Sequence, residues 1–314
     1  MIGDGCHRLA VVSYKQLGDV LLLQPALSAL AERTGNPVTL ATKPEFSALV
    51  RLMPGAALER EARFDLLACV HHGSKAVWSS LKLRAEKKLL FLTRAAHLRW
   101  YHRWVFHECI VSPQRDTYWA LQHWHNLVGT CTDGYHEPAL MPPPPEWRPQ
   151  GFQARDYILI HPTAAWPKKF WTAENWAETI RYLDRHYGRP LIMTGGGTDF
   201  EMRHLKTICD YGAPITNYGG KTSLEEFIFL VAQARAVIAI DGAASHIARA
   251  YNKPVVTLFG QTNPRKWSTA TRPWQRIAES EQKQGEPEPA ASIRVAAVTA
   301  QIDRAFTEFE RSDP

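Results

Sequence analysis

No apolar run in this sequence approaches the length that spans a bilayer, so no transmembrane helix is expected. The run LAVVS near the N-terminus is too short for the apolar core of a secretory signal. Cysteine is sparse: Cys6, Cys69, Cys109, Cys131 and Cys209 are odd in number and scattered, with no CxxC pair. That usage excludes a disulfide framework and a cysteine zinc site, and predicts reduced thiols in the cytoplasm. The glycine-rich turn TGGGTD (194–199) has neither the GxGxxG spacing of a dinucleotide site nor a P-loop lysine. No cofactor or metal is expected, and without a recognition motif no nucleic-acid partner is expected.

Acid is locally scarce too. Within a chain of formal net charge +6, the stretch KLRAEKKLLFLTRAAHLRWYHR (82–103) holds seven lysines and arginines against one acid, Glu86. This is either a solvated basic face or a surface for a phosphorylated or membrane-borne substrate. Histidine and tryptophan crowd the same region, in WYHRWVFHE and WALQHWH, without metal-ligand spacing. Packing and substrate contacts are the reading for them.

With 314 residues, 45 % of them apolar, the chain can fill two cores. LAVVS (9–13) reads as a strand, followed by a helical stripe through Val20, Leu23, Leu27 and Leu30. VTLAT (38–42) reads as a strand and PEFSALVRLMP (44–54) as a helix stopped by Pro54. Between 71 and 135 the pattern blurs. MPPPPEWRP (141–149) is a stiff, non-helical connection, and after it the same plan restarts. Strands are expected at 157–161, 190–194, 236–241 and, as the last, 254–260; helices are expected at 173–187 and 199–209 and over LEEFIFLVAQ and HIARAYN. Thr198 with Glu201 and Ser223 with Glu226 have capping-box spacing. A flexible connection (280–292) then leads to a helix over 292–310. The expected class is α/β with parallel sheets, in domains 1–145 and 146–285 and a C-terminal helical segment 286–314.

One junction is unusual. VIAIDGAASHIARA (237–250) passes from strand to helix through Asp241, Gly242, Ala243, Ala244, Ser245 and His246. Ligands of open parallel sheets bind beyond the strand ends, where a helix N-terminus offers free N–H groups, and small residues let a diphosphate reach them. Close helix-on-strand packing would use the same small residues. HPTAAWPKKFW (161–171) follows another strand and offers Thr163 and Lys168 or Lys169 to phosphate oxygens. In QLGDV (16–20), Asp19 after Gly18 is a helix cap, or a carboxylate that takes a proton from a substrate hydroxyl.

Taken in order, LGDVLLLQPAL, HPTAAWPKKFWTAENW, GGKTSLEEF, AIDGAASHIARAYNKPVVTLFGQTNP and RKWS resemble glycosyltransferase family 9 over about residues 9–270. The resemblance implies the GT-B architecture: two Rossmann-like domains around a cleft, acceptor mainly on the first, donor on the second. It implies a C-terminal helix packed back on the first domain. It implies an inverting, metal-independent transfer of heptose or a related sugar from an ADP-sugar to a lipopolysaccharide-core or other anionic glycan acceptor. No DxD pair argues otherwise. By motif, Asp19 is the general base and Lys169 the lysine of a K-x-W element, with Lys168 as fallback; Thr163 lies at the diphosphate. Asp241 and His246 belong to a D-x-G-x-x-H element, and Thr222 to the nucleobase-contacting segment. Ala243 replaces that element's glycine, and Gly197 stands where a ribose-binding glutamate is usual, with Asp199 the nearest carboxylate. The basic residues Lys82, Arg84, Lys87, Lys88, Arg99 and Arg103, with Gly18, are expected at the acceptor, at the inner face of the cytoplasmic membrane. The alternatives are a non-catalytic nucleotide-sugar-binding scaffold, or an epimerase or hydrolase on the same fold.

Overall fold

Among the described residues, twelve strands form two six-stranded, wholly parallel sheets. The computed structural model describes residues 5–58, 63–112, 118–268, 271–281 and 289–312. The chain divides into units Met1–Met141 and Pro142–Pro314, at the start of the proline run. Parallel strands need crossovers, and the helices read between them supply these.

The first unit contains β1 (Leu9–Val12), β2 (Val38–Ala41), β3 (Ala56–Ala57), β4 (Phe64–Cys69), β5 (Ala85–Leu92) and β6 (Glu108–Val111). Its helices are α1 (Leu17–Leu21), α2 (Gln24–Thr34), α3 (Ser47–Leu52), α4 (Ser74–Lys82), α5 (His102–Val105) and α6 (Trp119–Leu127). The strand order is β3-β2-β1-β4-β5-β6. Val20, Leu23, Leu27 and Leu30 are all buried as their spacing predicts, but the helix breaks before Pro25, which occupies the first turn of α2. The helix expected over 44–54 begins as a 3-10 turn and ends at Leu52. Met53 is extended because the residue before a proline is forced out of the helical region. Gly55 follows with φ +80°, and a Cβ there would lie 2.5 Å from Ser28 Cα, so only glycine fits.

The second unit contains β7 (Ile158–His161), β8 (Leu191–Met193), β9 (Thr216–Asn217), β10 (Ala236–Ile240), β11 (Val255–Phe259) and β12 (Gln275–Glu279). Its helices are α7 (Ala173–Tyr187), α8 (Asp199–Asp210), α9 (Leu224–Gln233), α10 (Ala243–Ala250), α11 (Pro264–Trp267) and α12 (Val295–Ser312). The order β12-β11-β10-β7-β8-β9 repeats the first unit's connectivity, so each unit is a Rossmann-like half. The expectation that 254–260 is the last strand is corrected: β12 pairs with β11 beyond it. QRIAE has no apolar run because an edge strand is only half covered.

The C-terminal helix α12 packs within the second unit. Val298, Ile302, Ala305 and Phe306 of α12 belong to the second unit's core, with Ile293 just ahead of them. Asp303 accepts hydrogen bonds from Tyr182 and Tyr187 of α7, both 2.7–2.8 Å. The apolar stripe of α12 is thereby committed to its own unit. Of the connection over 280–292, residues 282–288 lie outside the described residues.

Candidate functional site

In the second unit the strand order reverses between β7 and β10, the place where open α/β sheets bind ligands. Both strands end there in the segments singled out above. After β7 the chain makes a 3-10 turn, Pro167–Lys169, before Thr172 caps α7 by accepting the Asn175 N–H. That turn leaves Lys168 exposed and aims Lys169 inward. Lys169 Nζ donates to Asp241 Oδ2 at 2.7 Å and to the Asp241 carbonyl at 3.1 Å. Thr262 Oγ1 donates to the same carboxylate oxygen at 2.6 Å. With Asp241 buried, this ion pair is screened little by solvent.

The small residues at this junction divide between two tasks. Ala244 is fully buried and serves helix-on-sheet packing. Gly242 and Ala243 are half-buried. Gly242 has an extended backbone, and a Cβ there would meet nothing closer than Ala164 Cβ at 3.7 Å. The fold itself therefore tolerates a side chain at 242, and its absence leaves the start of α10 open. His246 lies under the turn, its Nε2 3.9 Å from Asp241 Oδ1. Burial pushes its pKa down to about 4 against the opposing pull of Asp241, so the ring is neutral at pH 7. Its Nδ1 has no hydrogen-bond partner among the described residues.

Beside β7, Thr163 is fully buried and accepts the Gly196 N–H at 3.4 Å. In the glycine-rich turn, Asp199 is exposed, and a Cβ at the exposed Gly197 would make only an ordinary contact, 3.8 Å from the Gly220 Cα. The buried carboxylate of this turn is Glu201. It accepts the Thr198 hydroxyl at 2.5 Å and lies so close over Gly196 that a Cβ there would collide with it. Thr198 thus bonds to a side chain instead of closing a capping box. Ser223 and Glu226 do close one at α9, directly after the half-buried Thr222.

In the first unit the order reverses between β1 and β4. Gly18 is buried in α1, and Asp19 beside it has Lys15 Nζ 3.8 Å away. Lys15 lies 4.2 Å over the Trp119 ring of α6, and burial lowers its pKa against the opposing pull of Asp19. Around it gather His71 and His72 from the end of β4, and His123 of α6. Burial, with Lys15 adding to it, takes His71 to about 4 and His123 to about 3. His72 stacks on His97 with ring centroids 4.2 Å apart. Neither ring nitrogen of His123 has a partner among the described residues.

Residues 89–292 match the pattern of Glycosyltransferase family 9 (heptosyltransferase). The chain belongs to glycosyltransferase family 9. Lipopolysaccharide heptosyltransferase 3 of Escherichia coli K12 is 33% identical over 121 residues, 38% of this chain and 33% of that protein. The aligned part thus spans about a third of the length of the curated relatives it matches. Among solved structures, a family 9 glycosyl transferase from Veillonella parvula superposes with TM-score 0.75 at 16% identity, covering 97% of both chains. The E. coli ADP-heptose lps heptosyltransferase II does so with TM-score 0.74 at 16% identity, covering 96% of this chain and 99% of that one. At that identity the likeness is one of fold, and it extends over both Rossmann-like units.

For a family 9 glycosyltransferase, the structure gathers Lys169, Asp241, Gly242, Ala243 and His246 at one strand end, with Thr163 at the neighbouring one. It divides the basic stretch 82–103. Register places Lys87 level with Leu66 and Leu9, and Lys88 level with Leu67 and Ala10, at the start of β1. Asp19 follows the other end of β1. Lys82 and Arg84 precede β5 and share the starting edge. Lys88 Nζ donates to the carbonyls of Ser80 and Leu81 at the end of α4, and Lys87 pairs with Glu108 at 3.3 Å. Lys82, Arg84, Lys87 and Lys88 therefore lie at the starting edge of the sheet, the opposite end from Asp19, because a parallel sheet keeps its strand starts together. Arg99 and Arg103 follow the far end of β5, and Arg99 lies near enough to His72 to help depress its pKa. Sequence reasoning did not single out Lys15, His71, His72 or His123, and read Glu201 only as a capping partner of Thr198. Only the density of histidine between 71 and 125 signalled part of that set. No group of three or more His, Cys, Asp or Glu side chains among the described residues is arranged to hold a metal.

Proposed function

We propose that this chain transfers heptose, with inversion, from ADP-heptose to an anionic lipopolysaccharide-core acceptor at the inner face of the cytoplasmic membrane. The second unit holds the donor and the first the acceptor. Asp19 takes the proton of the acceptor hydroxyl as that oxygen attacks the anomeric carbon. The bond from that carbon to the diphosphate oxygen breaks in line, and ADP leaves. Lys169, Thr163 and the start of α10 offset the charge that grows on the diphosphate. Lys169 and the helix dipole do here what a divalent cation does elsewhere, so transfer is expected to persist in EDTA. The observation that carries the reading is Lys169, held by Asp241 beside an open helix N-terminus at the β7–β10 switch point. Relatives whose printed names include lipopolysaccharide heptosyltransferase and ADP-heptose support the choice of sugar and acceptor.

Calorimetry with ADP, UDP and GDP tests the donor: ADP binds selectively, and Lys169→Ala weakens it. Preference for UDP or GDP would discard the heptose, and no binding at all would discard the enzyme. Asp19→Asn then tests the base. It abolishes transfer while ADP affinity stays; equal loss of both would make Asp19 structural.

A further inference from the structure

Three tryptophans stand out of the first unit. Trp78 is 62 % exposed, Trp100 76 % and Trp104 82 %, with Leu81 at 51 % beside them on α4. Trp78 and Leu81 are one helical turn apart on the outward face of α4, whose opposite face buries Ala76, Val77 and Ser80. Helix α4 packs against α5, which carries Trp104. The Trp100 and Trp104 rings meet edge to face with centroids 6.2 Å apart. A cluster of large apolar rings left in water marks a contact surface.

Its electrostatic frame has one sign. From Ser74 to His107 there are eight lysines and arginines and a single acid, Glu86. Glu86 sits on β5 and is paired with Arg63 at 3.2 Å. Lys75, Lys82, Arg94, Arg99 and Arg103 of this stretch are all exposed. A second copy of this face would meet it cation against cation, and protein interface cores shed such charge. Indole rings prefer the headgroup zone, where the ring is apolar-solvated and its N–H still finds acceptors, and cations beside them attract acidic lipid headgroups. No helix of the described residues is long and apolar enough to cross a membrane, so such a contact lies on the surface.

We propose that the α4–α5 face, through Trp78, Leu81, Trp100 and Trp104 with Lys75, Lys82 and Arg103, docks this protein on an anionic lipid bilayer. The contact needs neither donor nor acceptor, so it stands or falls separately from the catalytic reading. The full chain is sedimented with vesicles of phosphatidylcholine, with and without phosphatidylglycerol, while tryptophan emission is followed. Wild type binds the phosphatidylglycerol vesicles, its emission shifts to the blue, and high salt releases it. Trp100→Ser/Trp104→Ser and Lys75→Glu/Lys82→Glu each bind roughly tenfold more weakly, with circular dichroism and ADP affinity unchanged. Unchanged vesicle binding by both variants overturns the proposal. So does a self-association in sedimentation velocity that the tryptophan variant abolishes while vesicles leave the emission unmoved, since the face then belongs to a second copy.

Discussion

Two lysines side by side, Lys168 and Lys169, have the same chemistry and opposite surroundings. Lys168 is exposed, whereas Lys169 is drawn to a buried carboxylate at the start of α10. Lys169→Ala is expected to lower kcat by roughly a hundredfold or more, as loss of a preorganised charge-stabilising donor does, and Lys168→Ala by no more than about threefold. The reverse ranking in steady-state assays would move the diphosphate to the other lysine. Lys15 makes a parallel case in the first unit. Its ammonium 3.8 Å from Asp19 favours the charged carboxylate there, which under the proposed function is the form that takes the acceptor proton. In Lys15→Met the acid limb of the kcat/KM profile is expected to move up by roughly one pH unit, and in Lys15→Arg to stay in place. A loss of thermal stability with an unmoved limb would leave Lys15 only its packing on Trp119.

At the scale of elements, two apparent capping boxes differ in where their hydrogen bonds go. Ser223 accepts the Glu226 N–H at 3.1 Å, and Glu226 accepts the Ser223 N–H at 2.8 Å, so two orphan donors of α9 are satisfied. Thr198 spends its hydroxyl on the Glu201 carboxylate instead. In urea denaturation Ser223→Ala is expected to destabilise the chain by about 1 kcal/mol. Thr198→Ala acts differently: it strips a hydrogen bond from the buried Glu201 carboxylate without uncapping α8. Its signature is a loss that shrinks in Thr198→Ala/Glu201→Gln, where that carboxylate is gone. Spacing alone could not separate the two, because Ser/Thr-x-x-Glu is the same pattern whichever bond forms. The regular helices and buried strands were legible because burial on one face or both leaves a periodic apolar trace. Edge strand β12 leaves none, and β5 hides behind a start of exposed lysines. The berth of α12 was beyond local pattern, since an apolar stripe does not name the sheet it will cover. At the candidate site, turns that follow strands singled out Asp241, Gly242 and the pair Lys168 and Lys169, and only the resemblance chose Lys169 between the two. Lys15, His71 and His123 converge only through folding.

For the whole molecule, the buried histidines couple stability to pH in both units. Burial takes His123 to about 3, and His161 and His246 each to about 4, against a usual value near 6.5. Above pH 6.5 each ring is neutral folded or unfolded, and contributes no pH dependence. As pH falls through 6.5 the unfolded chain takes up protons that the folded chain refuses, so stability drops until the folded rings also protonate near pH 4. Within that window each histidine contributes up to about 1.4 kcal/mol of lost stability per pH unit. The first unit holds His123 and the second holds His161 and His246, and their apolar cores are separate clusters. Acidification from pH 7 to 5 is therefore expected to lower the thermal midpoint of each unit, with His71 acting beside His123 in the first and His204 beside His161 and His246 in the second. Calorimetric scans across that range check the trend, and His246→Gln should flatten the slope of the second unit only. A midpoint that holds steady to pH 5 would mean that these rings accept protons in the folded state.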